Sequence, residues 1–246
     1  MLTGCASTAE NEFEQSARSL YQEAKASLDA GDYETAIQRL ETLEARFPFG
    51  RFAQQAQLDM AYAYFKYNEA ESAVATAERF IKLYPRHPNV DYAFYLKGLI
   101  MFTKGQGAFD FLDSQDPAKR DPESAKNAFR YFAELVERYP NSKYTRDAIE
   151  RMRYLRNSLS RHEIYAARFY LKRKAWLAAA TRAKYVIETF PNTPAVPEAL
   201  SIMTRAYTKL GLNDLAADSL RVFKASYPEH KLLKKLYKST DNSTKG

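Results

Sequence analysis

Five aromatic-proline dipeptides recur along this chain, and the same spacing of small and apolar residues precedes each of them. The dipeptides are Phe47-Pro48, Tyr84-Pro85, Tyr139-Pro140, Phe190-Pro191 and Tyr227-Pro228. An alanine lies twelve residues before each proline, at Ala36, Ala73, Ala128, Ala179 and Ala216. Eight residues before each proline are Leu40, Ala77, Phe132, Ala183 and Leu220. Five residues before each proline are Leu43, Phe80, Leu135, Val186 and Phe223. This regularity predicts a chain built from five copies of one unit.

The shared positions fall on one face of a helix, because they are separated by three or four residues. Proline then ends the helix, since it lacks an N–H donor and disfavours helix at the residue before it. The pattern resembles the second helix of the tetratricopeptide repeat. The first helix of that repeat is matched by Ala61 with Tyr64, Ala167 with Tyr170, and Thr204 with Tyr207, while copy one has Ala24 with Ser27. We therefore predict an all-α fold of five tetratricopeptide-type helix-turn-helix repeats in a right-handed solenoid.

Two copies are longer than the others. The prolines of copies one and two are 37 residues apart, whereas 55 residues separate Pro85 from Pro140, so copy three has 18 extra residues. These fall near 103–120, where glycines and aspartates indicate a loop. Copy four has 14 extra residues near 144–160, whose apolar residues keep helical spacing and predict an extended or additional helix.

Composition favours a folded helical body. Hydrophobic residues make up 46% of the chain and only 8 residues are glycine. The formal net charge is +7, which could suit nucleic acid, an anionic membrane or an acidic partner. Because acidic and basic residues are interspersed, an ordinary solvated surface explains the charge more simply. No run of about 18 apolar residues occurs, so no membrane-spanning helix is predicted.

Residues that could carry chemistry are sparse. The single cysteine, Cys5, and three separated histidines do not form a metal-ligand pattern. No sequence motif combines a nucleophile with a base, and no phosphate-binding glycine loop is present. We therefore predict no catalytic residues, no metal and no cofactor. The aromatic residues outside the repeat pattern, among them Phe49, Phe52, Tyr62 and Tyr92, either fill gaps between repeats or line a peptide groove.

The first residues, Leu2-Thr3-Gly4-Cys5, resemble a bacterial lipobox, with polar residues following. This resemblance implies acylation of Cys5 and predicts that residues 1–12 are a lipobox and tether. Ala6 resembles the residue after the cysteine in lipoproteins of the outer membrane. The residues before Cys5 are too few for the basic and apolar regions of a secretory signal, so an unmodified thiol is the alternative.

Several longer motifs resemble the BamD (ComL) family, the repeat lipoproteins of the outer-membrane β-barrel assembly machinery. The resemblance extends from Phe13 to about Tyr227. It rests on Arg46-Phe-Pro-Phe-Gly50, Ala53-Gln-Gln-Ala-Gln-Leu58, Tyr62-Ala-Tyr64, Arg79-Phe-Ile81, His87-Pro-Asn-Val-Asp-Tyr92, Arg120-Asp-Pro122, Tyr139-Pro-Asn-Ser-Lys-Tyr144, and Trp176 with Arg182.

The resemblance implies a non-catalytic scaffold, lipid-anchored on the periplasmic leaflet of the outer membrane. Its implied partners are a BamA-like β-barrel protein, other Bam lipoproteins and unfolded outer-membrane proteins, with no nucleic acid. Repeats 1–3 (residues 13–140) would face substrate and its C-terminal β-signal, and repeats 4–5 (residues 141–230) would face BamA. A basic flexible tail would follow over 231–246.

The same resemblance assigns roles to particular residues. Arg182 would contact BamA, and a helix arginine can pair bidentately with a carboxylate. Phe47, Gly50 and Arg79 would belong to the peptide-binding region. Glu34 stands where the family has a basic residue, which makes the substrate contacts of copy one differ from the family pattern.

Three other functions remain open from the sequence. A different periplasmic scaffold, serving cell-wall or division proteins, would leave β-barrel insertion intact when it is lost. A nucleic-acid binder would show affinity that falls steeply with salt, but no basic stripe with interleaved aromatics supports it. A cell-wall hydrolase is the enzyme alternative, and the lack of a catalytic motif argues against it.

Overall fold

In the described part of the chain, all regular secondary structure is α-helical. The computed structural model describes the backbone over 5–106, at 116 and 118 and over 122–241, and the side chains over 14–105, at 116 and 118 and over 122–236. Its helices are α1 (Cys5–Asp29), α2 (Tyr33–Arg46), α3 (Arg51–Lys66), α4 (Ala70–Leu83), α5 (Val90–Gln106), α6 (Glu123–Arg138), α7 (Thr145–Lys172), α8 (Trp176–Thr189), α9 (Val196–Leu210), α10 (Asn213–Ser226) and α11 (Lys231–Asp241). The all-α fold class predicted from sequence is confirmed.

The described residues form two compact units. Unit 1 comprises those within 1–108 and 127–150, and unit 2 comprises those within 109–126 and 151–246. Over the described ranges, no helix is long and apolar enough to span a bilayer.

The repeat positions form the core, as the spacing predicts. All five alanines twelve residues before proline are buried on α2, α4, α6, α8 and α10, and so are the residues five before proline. On the first helices, Ala24, Ala61, Ala167 and Thr204 are buried as well. Small residues at these positions let paired helices approach closely, while Phe80, Phe132 and Phe223 fill the space between them.

The turns within copies share one backbone device. Gly31, Asn68, Lys174 and Gly211 all have φ between +60° and +78° and precede the second helix of their copy. This left-handed conformation ends the first helix and satisfies its last carbonyls. Asp32 then caps α2 by accepting a hydrogen bond from the N–H of Thr35 at 3.2 Å.

The aromatic-proline dipeptides end the second helices. The N–H groups of Phe47, Tyr84, Phe190 and Tyr227 each donate to the carbonyl four residues earlier, and their backbones then extend. The following proline has no N–H with which to continue the helix.

The two insertions differ in what the structure shows. The extra residues of copy four lengthen α7 into one helix of 28 residues, which agrees with the extended-helix prediction.

The predicted loop of copy three starts later than expected, because α5 continues to Gln106. Most of that loop lies outside the described residues. Within unit 2, Asp116 accepts a hydrogen bond from Tyr165 at 2.6 Å, and the carbonyl of Ala118 lies 2.9 Å from His162 Nδ1.

Both ends of the chain are more helical than the sequence indicates. Helix α1 begins at Cys5, so residues 5–12 of the predicted tether are helical. The flexible tail predicted over 231–246 is wrong for its first part, because residues 231–241 form α11. Leu233 and Leu236 of α11 are buried against Val196, Leu200 and Phe223, and this apolar contact holds the helix in place.

Candidate protein-binding surfaces

Arg182 projects from α8 into an open groove of unit 2. The groove is lined by Tyr170, Lys174, Ala175, Trp176, Leu177, Ala178, Thr181, Arg182 and Leu210. Arg182 Nη1 donates to Glu163 Oε2 at 2.9 Å, and the hydrogen bond and charge of Glu163 raise the pKa of Arg182. Nearly half of the Arg182 side chain stays exposed, so the other guanidinium N–H groups can reach a further acceptor.

Two partly exposed leucines line this groove, and two more lie close to Leu210 in sequence. Leu177 is 64% exposed, and Leu210, Leu212 and Leu215, from the end of α9 to the start of α10, are 38–47% exposed. We call these four residues the leucine rim. A cluster of large apolar side chains on a protein surface typically marks a site of contact with another protein. The repeat pattern did not predict them, because they lie outside its core positions.

Half-buried tyrosines form a band in unit 1. The rings of Tyr95 and Tyr144 stack at 4.8 Å, and Tyr92 lies 5.4 Å from Tyr144. Tyr95 donates to Asp147 at 2.6 Å, and Tyr21 donates to Asp59 at 2.7 Å. Burial raises the pKa of Tyr92, and the neighbouring Tyr144 and Tyr62 raise it further. We call Tyr62, Tyr92, Tyr95 and Tyr144 the tyrosine band.

Phe47, predicted as a peptide contact, lies in the core of unit 1. Its side chain is 5% exposed and packs in the cluster formed by α1, α2 and α3. Two residues later, Phe49 is 87% exposed. Gly50 follows with φ 97°, a conformation that other residues rarely adopt, and its N-cap position starts α3. Phe47 and Gly50 therefore shape this turn, while Phe49 presents the aromatic surface.

Arg79 takes part in a network that links three helices of unit 1. Its guanidinium pairs with Glu44 of α2, and Glu44 also accepts a hydrogen bond from Gln57 Nε2 at 2.8 Å. Gln57 is buried in α3, and its Oε1 atom has no partner among the described residues. Half of the Arg79 side chain is exposed, so it both joins the helices and faces solvent.

Cys5 begins α1, but its thiol lies outside the described side chains. Within the described residues, no group of three or more His, Cys, Asp and Glu side chains could hold a metal ion.

Comparison with known proteins gives one consistent family. The family model described as "Outer membrane lipoprotein" (YfiO) matches residues 13–222. The outer membrane protein assembly factor BamD of Neisseria meningitidis serogroup B is 46% identical over 226 residues, covering 92% of this chain and 85% of the relative. BamD of Vibrio cholerae is 40% identical, covering 87% of this chain and 89% of the relative.

A solved structure of a Podosopora anserina putative kinesin light chain, with TPR-like repeats, is 14% identical and has a TM-score of 0.42. It covers 85% of this chain and 93% of its own. The relatives, in contrast, match most of the chain at high identity, and their family is the one that the motifs around Phe47, Arg79 and Arg182 resemble. The chain belongs to the BamD family of outer membrane protein assembly factors.

Proposed function

We propose that this chain is a non-catalytic scaffold of the β-barrel assembly complex, required for the folding and insertion of outer-membrane β-barrel proteins. A lipid on Cys5 anchors it to the periplasmic leaflet of the outer membrane. The observation that carries this proposal is the match of nearly the whole chain to BamD relatives. Five helix pairs with exposed binding surfaces support it, because a scaffold needs rigid surfaces rather than reacting groups.

In this proposal, repeats 4–5 bind a BamA-like β-barrel protein through the groove that contains Arg182. The groove offers two basic groups, Arg182 and Lys174, beside Trp176, Leu177 and Leu210. An arginine surrounded by apolar side chains is typical of an interface centre, where the apolar groups exclude water and strengthen the charged contact. The partner would supply a carboxylate for the guanidinium N–H groups that Glu163 leaves free.

Repeats 1–3 receive the C-terminal β-signal of unfolded outer-membrane proteins. The tyrosine band and Phe49 offer aromatic surface for an extended segment with aromatic residues of its own. Arg79 is the basic group that would pair with a carboxylate of that segment, in exchange for its contact with Glu44. Phe47 acts on the peptide only by supporting the turn that carries Phe49.

The partner assignment is tested by affinity purification from detergent-solubilised outer membranes with the unaltered chain, Arg182→Glu and Lys184→Glu. Lys184 is a matched control on the same helix, since it is exposed and pairs with Glu188. We expect a BamA-like protein with the unaltered chain and with Lys184→Glu, but not with Arg182→Glu. Recovery with all three would refute the role of Arg182, and recovery with none would refute the partnership.

The anchor is tested in cells that express this chain behind a lipoprotein signal peptide. We expect radioactive palmitate to label the unaltered chain and not Cys5→Ser. Equal labelling of the two proteins would contradict acylation at Cys5.

A further inference from the structure

A second groove in unit 1 lies between two inter-repeat turns. One turn follows Tyr84-Pro85 and contributes Pro85, Arg86, His87, Pro88, Val90 and Asp91. The other surrounds Pro140 and contributes Arg138, Tyr139, Pro140, Asn141 and Ser142. We call this the turn groove. The roles proposed above for the tyrosine band, Phe49 and Arg182 do not use it.

Two arginines in the turn groove lack a counter-ion among the described residues. Neither Arg86 nor Arg138 has an ion-pair or hydrogen-bond partner among the described residues, although Arg138 lies over the ring of Phe94 at 5.4 Å. Many other arginines in the described ranges are paired, for example Arg51 with Glu14 and Arg168 with Glu198. Two unpaired guanidiniums in one groove leave a local positive potential that favours an anion.

His87 adds a further hydrogen-bond donor. Its Nδ1 atom accepts a hydrogen bond from the N–H of Asn89 at 3.1 Å, so the neutral ring carries its proton on Nε2. The edge of the ring also packs on Phe80 at 5.1 Å, which fixes its orientation. A hydrogen-bonding group held in one orientation costs little to order when a ligand binds.

The groove contains one carboxylate, and the oxygens of this carboxylate already accept hydrogen bonds. Asp91 Oδ2 accepts from Ser142 Oγ at 2.6 Å, and Asp91 Oδ1 accepts from the N–H of Tyr92 at 2.8 Å. The bond from Ser142 joins the two turns, whereas the bond from Tyr92 lies within the start of α5. The two arginines of the groove outnumber its one carboxylate, so the groove carries a net positive charge.

We propose that the turn groove binds an acidic segment of a partner protein, with side-chain carboxylates held by Arg86 and Arg138. A guanidinium matches a carboxylate in bidentate geometry. The walls between the charges are apolar, formed by Pro85, Pro88, Pro140 and Val90. A recessed site with charged ends and apolar walls suits a polypeptide, whereas a flat lipid surface would be better matched by protruding lysines.

The test uses fluorescence anisotropy of a labelled hexaglutamate peptide, with hexaglutamine as the neutral probe. The groove variant is Arg86→Gln with Arg138→Gln. The matched control is Lys82→Gln with Lys209→Gln, which removes the same charge at exposed positions outside the groove. Because two charge-assisted contacts are removed, we expect the groove variant to bind hexaglutamate at least about tenfold more weakly. The control should stay within about twofold of the unaltered chain.

Equal weakening in both variants would overturn the proposal, because it would reflect net charge alone. Failure of the unaltered chain to prefer hexaglutamate over hexaglutamine would also overturn it. Loss of binding to phosphatidylglycerol vesicles in the groove variant, with hexaglutamate binding unchanged, would assign the arginines to the membrane instead. The inference goes beyond the function proposed above, and its outcome is independent of Arg182, which belongs to the other unit.

Discussion

At the scale of single residues, the turns between the two helices of a copy have the same left-handed backbone conformation but different residue types. Gly211 and Lys174 both have left-handed φ, near +72° and +60°. Glycine adopts this conformation without penalty, whereas a side chain pays roughly 1 kcal/mol. The turn of copy four is therefore strained relative to that of copy five.

We expect Lys174→Gly to stabilise the protein and Gly211→Ala to destabilise it, each by about 1 kcal/mol. Both changes leave the helix contacts in place, so chemical denaturation of the purified chain should report backbone strain alone. Loss of stability in Lys174→Gly would show that the lysine side chain contributes more than its strained backbone costs.

The ionisation of Tyr64 makes the folding stability of the protein depend on pH. Burial, together with the hydrogen bond to Glu41 at 2.7 Å, raises the pKa of Tyr64 to about 12. The unfolded tyrosine ionises near pH 10, so the folded state holds its proton more tightly. This contribution to stability is present below about pH 10 and is lost as pH rises towards 12.

We expect Tyr64→Phe to be less stable than the unaltered chain by about 1 kcal/mol at pH 8, because the hydrogen bond is lost. The gap should narrow between about pH 10 and 12, as ionisation removes the advantage from the unaltered chain. Urea denaturation at a series of pH values measures it. A constant gap across that range would show that Tyr64 does not titrate differently in the folded protein.

The residue scale also separates buried repeat positions from exposed ones. Phe47 was predicted as a peptide contact from the family resemblance, yet it occupies the aromatic position before proline. That position belongs to the repeat pattern, and its side chain is buried. Phe49 lies outside the pattern and is exposed. The repeat pattern places Phe49 outside the core together with Phe52, Tyr62 and Tyr92, but it does not show which of these side chains is exposed, because Phe52 and Tyr62 pack on the core of unit 1.

At the scale of helices, one buried lysine joins three of them. Lys97 of α5 is 5% exposed and lies 3.0 Å from Glu78 of α4 and 3.7 Å from Glu134 of α6. Its ammonium also lies 4.1 Å from the centre of the Tyr131 ring. A buried cation with such partners fixes the relative positions of the helices, because moving one helix would leave the buried ammonium without its carboxylate partners.

Lys97→Ala should destabilise the protein by about 2–4 kcal/mol, since it leaves two carboxylates near a cavity. Lys104→Ala on the same helix removes an exposed pair with Glu71 and should cost less than about 1 kcal/mol. The two variants are compared by thermal and chemical denaturation. Similar losses in both would mean that the Lys97 contacts are no stronger than surface pairs.

Helix α11 depends on two leucines. Leu233 and Leu236 are buried against α9 and α10, while the lysines between them are exposed. We expect Leu233→Ala to cost about 2–4 kcal/mol in α11 docking and to speed hydrogen exchange in α11. Lys235→Ala, exposed on the same helix, is the control. Unchanged protection of α11 in Leu233→Ala would contradict this packing role.

The helices also show what a repeat pattern can predict. Proline positions gave the ends of the second helices, because proline removes a hydrogen bond wherever it occurs. The insertion of copy four kept helical spacing around Met152 and Leu159 and was correctly predicted as helix. The sequence does not predict that the first part of the tail is a docked helix, because its lysines indicate solvent contact. The helix docks on Val196 and Leu200, which are distant from it in sequence.

At the scale of the whole molecule, the chain is an all-helical member of the BamD family, for which we propose a scaffold role without catalysis. Family membership follows from similarity along most of the chain. The assignments of unit 1 to substrate and of Arg182 to a β-barrel partner remain predictions. The sequence could suggest these residues only by resemblance, because partner contacts leave no periodic pattern in a single chain.

The most direct test of the assembly role is to deplete this protein in the cell that makes it and to follow heat-modifiable, folded β-barrel proteins of the outer membrane. We predict that folded barrels decline, that the unaltered gene product restores them, and that Lys184→Glu restores them as well. Arg182→Glu should fail to do so. Normal barrel folding after depletion would contradict the assembly role and would leave a periplasmic scaffold with another task.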